Sequence, residues 1–437
     1  MRQEDFTPRI YGKYYLIDRI AVGGMAEIYA AKTFSEGGFA KTLVIKRILS
    51  RFSENPNFVS MFIDEAKISV SLQHASIVQV YDFGKIKDNY YLAMEWLDGR
   101  DVKRLFNKLV ARREVMPQEY AVFIAHEICR ALDYAHRLKN YKGEPLGIVH
   151  QDISPSNIVV GFAGEVKVVD FGIAKTSALA NDVKDGINWG KVSYVSPERL
   201  QHKPPTPQSD LFSVGVVLWE CLTGRSLFKD KDPKVAARKV LSGDYPAPSI
   251  YNPAIPPALD LIVLRALAKD PSDRFGDGSE MQEILHDFMG NLNPTFIQKG
   301  LAKYMHELFE AERKIQHTRM EKGSRLAQEF HESLGDVFEV EGGSSGSVPM
   351  SPDLLDALGL DPGMGVEPTG GAKPKRVNLR DALEAENEPG APIPDLRPKE
   401  VEPDRLERIR RKDGTGTLGG RPRQGGTGQG RQGGTRP

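Results

Sequence analysis

The stretch HQDISPSNIVVGFAGEVKVVDFG, residues 150–172, constrains this chain more than any other. It opens on His150, Asp152 and Asn157, passes through two strand-like segments, and closes on Asp170, Phe171 and Gly172. An Asp-Phe-Gly triplet is common by chance. One placed a β-hairpin after H-x-D-x-x-x-x-N is not.

The surroundings predict an α+β fold in two lobes. From Ile10 to about Gly99 the segments YYLIDRIAV, EIYAAKTF, TLVIKRI, IVQVYDFG and YYLAMEWL alternate or cluster β-branched and aromatic residues. One helix interrupts them, from about Asn57 to Gln73, with Phe58, Phe62, Glu65, Ile68 and Leu72 at helical spacing. After Gly99 the chain turns helical, in segments such as QEYAVFIAHEICRALDYAHRL and DLFSVGVVLWECLTG. Sheet first and helices afterwards is the pattern of two lobes, expected at residues 10–96 and 97–292. Over residues 293–338 a helical extension is expected, since Leu301, Tyr304, Met305, Leu308 and Phe309 form one apolar stripe. Such a stripe is expected to pack on the preceding lobe. Residues 339–437 are rich in Gly, Pro and Arg and bury too little apolar surface to offset chain entropy. They are expected to be a disordered tail.

Lys and Arg together number 59, as do Asp and Glu, so bulk charge points to no nucleic-acid partner. The arginines at 421, 423, 431 and 436 lack interleaved aromatics, so a solvated linker or a protein-docking tail is the reading there. No window approaches the ~20 apolar residues of a membrane span. The start, MRQEDFTPRI, has no apolar run of a signal peptide, and a cytoplasmic, membrane-free protein is expected. Cys129 and Cys221 lie in apolar helical segments and read as reduced core thiols.

Two earlier segments complete a set. IAVGGMAEI, Ile20 to Ile28, is a turn of small residues, where backbone N–H groups approach phosphate oxygens closely. Lys46 ends the strand LVIKRI among apolar neighbours, where burial demands a partner. Glu65, on the apolar side of the lobe's one helix, is the natural one.

In this order the motifs resemble those of the eukaryotic-like (Hanks-type) protein kinase superfamily, in its bacterial serine/threonine branch, over roughly residues 10–290. The resemblance implies the bilobal kinase fold: a small antiparallel-sheet lobe with one helix, and a mainly helical large lobe. It implies ATP and Mg²⁺ as cofactors and protein substrates as partners. Ile20, Ala21, Val22, Gly23, Gly24, Met25, Ala26, Glu27 and Ile28 would cover the phosphates, and Lys46, held by Glu65, would reach them. Asp152 would accept or orient the substrate hydroxyl proton, while Asn157 and Asp170 would ligate Mg²⁺. Met94 would stand beside the adenine, Glu95 to Leu97 would be the hinge that bonds it, and Val44, Ile28 and Val159 would sandwich it. Glu198, in the triplet Ser196-Pro197-Glu198, would pair with Arg274, and Asp210 would anchor the catalytic loop.

Three departures bear on mechanism. The family's phosphate-sensing arginine is Gln151 here, so activity is expected not to depend on activation-loop phosphorylation. Ser154 and Lys191 stand where serine/threonine kinases carry lysine and threonine. Either Lys191 reaches back to Asp152 and the γ-phosphate as a catalytic residue, or it points to solvent. Two of the three glycine positions are Ala21 and Ala26, which resist left-handed backbone. A catalytic protein kinase is expected. The alternative is a pseudokinase-like binding scaffold, disfavoured because Lys46, Glu65, Asp152, Asn157 and Asp170 are all retained. Small-molecule phosphotransfer is disfavoured by the Ser-Pro-Glu segment and the Asp210 helix.

Overall fold

The computed structural model describes residues 6–35, 39–171, 192–293, 295–296 and 298–334. Its first part is one antiparallel sheet of β1 (Arg9–Tyr11), β2 (Tyr14–Val22), β3 (Ala26–Phe34), β4 (Ala40–Ile48), β5 (Val80–Ile86) and β6 (Asn89–Glu95). The spatial order is β1-β2-β3-β4-β6-β5. Side chains alternate between the two faces of a strand, so β4 feeds two separate clusters. Leu43 and Ile45 join Leu16, Tyr29 and Tyr91 on one face. Val44 and Ile48 join Leu92 and Met94 on the other.

Helix α2 (Pro56–Ser71), after the single turn α1 (Ser50–Ser53), covers that second face with Phe62 and Ala66. Its start follows from sequence: Asn55 accepts the Asn57 N–H at 3.0 Å, and Pro56 occupies the first turn, where its missing N–H costs nothing. The expected helix is α2; α1 is a short addition to it.

The second part is helical: α3 (Val102–Arg112), α4 (Gln118–His136), α5 (Pro197–Leu200), α6 (Pro207–Thr223), α7 (Pro233–Ser242), α8 (Pro257–Ala266) and α9 (Gly278–Leu292). Its core centres on α4 and α6, with Ile128, Leu132, Phe212 and Trp219 buried together. Thr206 and Ser209 form a capping box at the α6 start, and Gly224, at φ +66°, ends the helix in the left-handed region that glycine enters freely. A small sheet, β7 (Gly99–Asp101), β8 (Ile158–Gly161) and β9 (Val166–Val168), lies between the two parts and holds the expected hairpin. Cys129 and Cys221 are free and buried, and burial pushes both thiols up, Cys221 to about 12.

Helix α10 (Gln298–Leu334) breaks at Phe309, whose φ of −118° and ψ of 20° leave the helical region. Before the break, Leu301, Met305 and Leu308 enter the helical core, as the apolar stripe predicts. After it, Ala327 and Met320 pack with Tyr15, Ile17 and Ala30 of the first sheet, which the sequence reading did not anticipate. The expected tail, residues 339–437, lies outside the described residues. No helix among the described residues is long and apolar enough to cross a membrane.

Candidate active site

Lys46 is buried at 8% exposure, on the face of β4 that points away from the Leu16–Tyr29 cluster. Its Nζ donates to Glu65 Oε1 of α2 at 2.5 Å and to Asp170 Oδ1 at 2.9 Å. Burial opposes the ammonium charge, but the Asp170 and Glu65 carboxylates overcome it and hold the pKa above the ordinary lysine value. Two carboxylates far apart in sequence thus share one buried proton donor.

Asp170 follows β9 and adopts φ +58°, a left-handed backbone that Asp tolerates better than most residues. Phe171 then turns inward, 2% exposed, its ring centroid 4.5 Å from that of His150. His150 accepts the Asp152 N–H at Nδ1 (3.2 Å), so Nε2 carries the proton and donates to the Val169 carbonyl at 3.3 Å. Burial lowers the pKa of His150, which keeps that tautomer neutral.

The loop itself hangs from Asp210, a 1% exposed carboxylate on α6. Asp210 accepts the N–H of His150 and of Gln151 at 2.8 Å each, and faces His136 Nε2 at 2.9 Å. These two bonds hold Gln151 at φ +63°, a strained value for a long side chain. Asn157 donates through Nδ2 to the Asp152 carboxylate at 2.8 Å and to the Asp152 carbonyl at 2.9 Å. Its amide oxygen is the atom left for a cation. One amide oxygen and the Asp170 carboxylate make an all-oxygen donor set, which suits Mg²⁺ and not a softer metal.

An apolar cluster lies on the same face of the sheet as Lys46. Val44 and Met94 share a cluster with Ile20, Ile28, Trp96 and Leu97. Val159 alternates with Ile158 and Val160, both in the helical core, and so faces away from that core. The Glu95 N–H donates to the Gln79 carbonyl at 2.8 Å. The tip between β2 and β3 is tied by Gly23 N–H to Ala26 O at 2.8 Å and Leu49 N–H to Met25 O at 2.9 Å. Ala21 and Ala26 both lie within strands and neither has positive φ, so the two replaced glycines are not needed for backbone freedom. Val22 and Gly24 complete the turn, both exposed.

One expected phosphate-loop residue is turned elsewhere: the Glu27 carboxylate accepts from Arg47 Nη2 at 2.6 Å and from the Tyr29 hydroxyl at 2.7 Å. Only its backbone stays at the loop. Lys191 lies outside the described residues, and Ser154 Oγ sits 3.1 Å from Ser156 Oγ. Two contacts escaped the sequence reading. Lys167 Nζ donates to Glu95 Oε2 at 2.9 Å, tying β9 to the hinge, and Arg199 Nη2 donates to Gln151 Oε1 at 3.3 Å. Lys167 and Arg199 carry no motif role and break no periodicity, so no sequence signal marked these contacts.

Glu198 and Arg274 pair as the resemblance implies. Arg274 Nη1 and Nη2 donate to the two Glu198 oxygens at 2.9 and 2.8 Å, and Ser209 Oγ adds a third bond at 2.7 Å. Burial alone would raise the Glu198 pKa; these donors bring it down to about 2.

The family model of the protein kinase domain matches residues 14–289. The tyrosine-protein kinase MasK of Myxococcus xanthus is 32% identical over 367 residues, covering 82% of this chain and 56% of that protein. The serine/threonine-protein kinase PrkC of Bacillus subtilis is 33% identical over 274 residues, covering 63% of this chain and 40% of that protein. The chain thus spans about half the length of the curated relatives it matches. The crystal structure of the Mycobacterium tuberculosis PknI kinase domain is 23% identical, with a TM-score of 0.48, covering 64% of this chain and 97% of that one.

Proposed function

The chain belongs to the protein kinase domain family, and from that premise we propose that it transfers the γ-phosphoryl group of ATP to a hydroxyl of a protein substrate. The observation that carries the proposal is the buried Lys46, bonded at once to Glu65 and Asp170 beside an Asp152 that Asn157 holds in place. A binding scaffold has no need of this set, because a buried, charged lysine is costly to keep without chemistry to perform.

Each residue then has a task. Lys46, aimed by Glu65, neutralises triphosphate charge in a water-poor site, where such a charge counts for more than in water. Asp152, fixed by two bonds from Asn157, takes the hydroxyl proton as oxygen attack proceeds. Asp170 and the Asn157 oxygen are the groups that would hold Mg²⁺, which neutralises developing charge on the phosphate oxygens when bound. The slot of Val44, Met94, Ile28 and Val159 takes the flat adenine, and the Glu95 carbonyl and Leu97 flank its polar edge.

Serine or threonine is the acceptor we propose, on the likeness to PrkC; tyrosine is the second reading, because MasK carries it in its name. We further propose that competence does not require a phosphate on the activation segment. Gln151 has no charge to offer one, and its amide oxygen already accepts from Arg199. The test is transfer of labelled γ-phosphate to the chain itself and to a general protein substrate, beside an Asp152→Asn control, with the labelled amino acid identified. Label on serine or threonine that vanishes in the variant supports the whole reading. Label on tyrosine changes the acceptor only. Equal, residual label in both proteins removes catalysis by this site.

A further inference from the structure

The long C-terminal helix is anchored at both ends and touches both lobes. At its start, Leu301, Met305 and Leu308 are buried in the helical core, and Arg112 Nη2 donates to the Leu308 carbonyl at 3.4 Å. Just past the break at Phe309, Glu312 pairs with Lys108 of α3, and Arg313 Nε stands 3.8 Å from Asp98 Oδ2 beside the hinge. Further on, the helix leaves the large lobe. Arg319 pairs with Asp18 of β2. Gly323 lies so close to that strand that a Cβ there would sit 2.7 Å from the Ile17 carbonyl oxygen. Ala327 is fully buried among Tyr15, Ile17 and Ala30. His331 stacks on Phe34 of β3, 4.2 Å between centroids and 6° from parallel.

Between these contacts the helix spans an open cleft of about 790 Å³, with Trp96 and Asp98 on its hinge side and Arg313 and Met320 on its helix side. The hinge is therefore bridged without being packed tight. The β2–β3 hairpin that receives the far end of the helix is the one whose tip is the phosphate loop. Ile20 and Trp96 contribute both to the cluster under the helix and to the apolar slot for the base. The slot and the helix lie side by side on one face of the sheet.

We propose that residues 310–334 are a strap that sets the position of the phosphate-loop hairpin over the large lobe, with Arg319 and Gly323 as positioning residues for nucleotide binding. This rests on the nucleotide reading of the cleft. The physical basis is mechanical. Kinase lobes move about a hinge that a few residues absorb, and a helix fixed to one lobe and keyed into a strand of the other limits that motion. Gly323 allows the close approach, and Arg319 with Asp18 fixes the helix along β2. By holding the hairpin near its closed position before nucleotide arrives, the strap removes part of the ordering cost of binding.

The experiment uses the full chain carrying Gly323→Leu, Arg319→Ala, or the conservative Arg319→Lys. Binding of a non-hydrolysable ATP analogue with Mg²⁺ is measured by calorimetry. KM for ATP, kcat, amide hydrogen exchange and Tm are measured in parallel. For Gly323→Leu the expected result is a rise of about tenfold in the analogue Kd and the ATP KM, within the usual span of coupling between sites. Exchange should quicken over residues 15–31 while α4 and α6 stay protected, and Arg319→Lys should retain most of the wild-type affinity where Arg319→Ala does not. Unchanged Kd and unchanged exchange in β2 and β3 overturn the proposal. So does a loss of affinity matched by lost protection in α4 and α6 and a collapsed Tm, because the helix is then only part of the general core. Wild-type chain that binds the analogue but transfers no phosphate defeats the catalytic reading above and leaves the strap to be judged on Kd and exchange. Wild-type chain that binds no analogue defeats the nucleotide reading, and exchange in the hairpin alone then decides whether the strap exists.

Discussion

Lys46 and Asp152 have separable effects. Removing the lysine charge, Lys46→Met, is expected to lower kcat by about 10²-fold or more, in line with the loss of one preorganised electrostatic donor. Asp152→Asn keeps one accepting oxygen but not the base, and should cost about 10²- to 10⁴-fold in kcat with little change in ATP affinity. Steady-state kinetics beside calorimetric nucleotide binding checks both. Glu198 and Glu220 give opposite pH responses. The Glu198 pKa lies at about 2, below its ordinary 4.5, so its bonds stabilise the fold above about pH 5 and are lost as pH falls toward 2. Burial pushes the Glu220 carboxyl, bonded by the Tyr194 hydroxyl at 2.7 Å, up to about 7. Its contribution is full below pH 4.5 and is lost as pH rises through 7. Thermal melts across pH should show Glu198→Gln flattening the acid limb, with a loss of about 3–5 kcal/mol at neutral pH from the stranded Arg274. Glu220→Gln should gain on the wild type only as pH climbs from 4.5 to 8. At this scale the motif residues were legible in the sequence because each combines a charged or amide group with an apolar context that demands a reason. Which side the Glu27 carboxylate takes was not legible, because the register of β3 against Arg47 of β4 decides it.

Among the elements, α6 does more than fill the core. Asp210, in its first turns, ties down the N–H groups of both His150 and Gln151, the latter with a left-handed backbone. Asp210→Ala is expected to lower kcat at least tenfold through the catalytic loop while α6 stays folded, since two buried N–H groups lose their acceptor at about 1–3 kcal/mol each. Exchange at residues 150–152 against exchange in α6 separates this from global unfolding. Strands, helix α2 and the hairpin were readable from periodicity and turn chemistry. The packing of helix α10 was readable only up to its break. Beyond Phe309 its sequence is mostly charged or polar, and its contact with β2 runs through Gly323 and Ala327, residues too small to leave an apolar stripe.

For the whole molecule, phosphatase-treated chain is expected to retain its full rate of phosphoryl transfer, since Gln151 replaces the arginine that would read an activating phosphate. Strict dependence of the rate on phosphate would refute this. The two-lobed plan was visible because strand-rich and helix-rich halves differ in composition and period. How the last helix relates the halves was not visible, because that depends on contacts between residues about three hundred positions apart, such as Asp18 with Arg319. The placement of the cysteines has a practical consequence. The chain holds two, both buried, with thiols pushed above their ordinary pKa. A thiolate is the reactive species, so both are chemically silent while the protein is folded. A single cysteine introduced on the outer face of the strap would therefore accept a fluorophore or spin label alone, and the untouched native background would let distances across the molecule be read without first removing a residue.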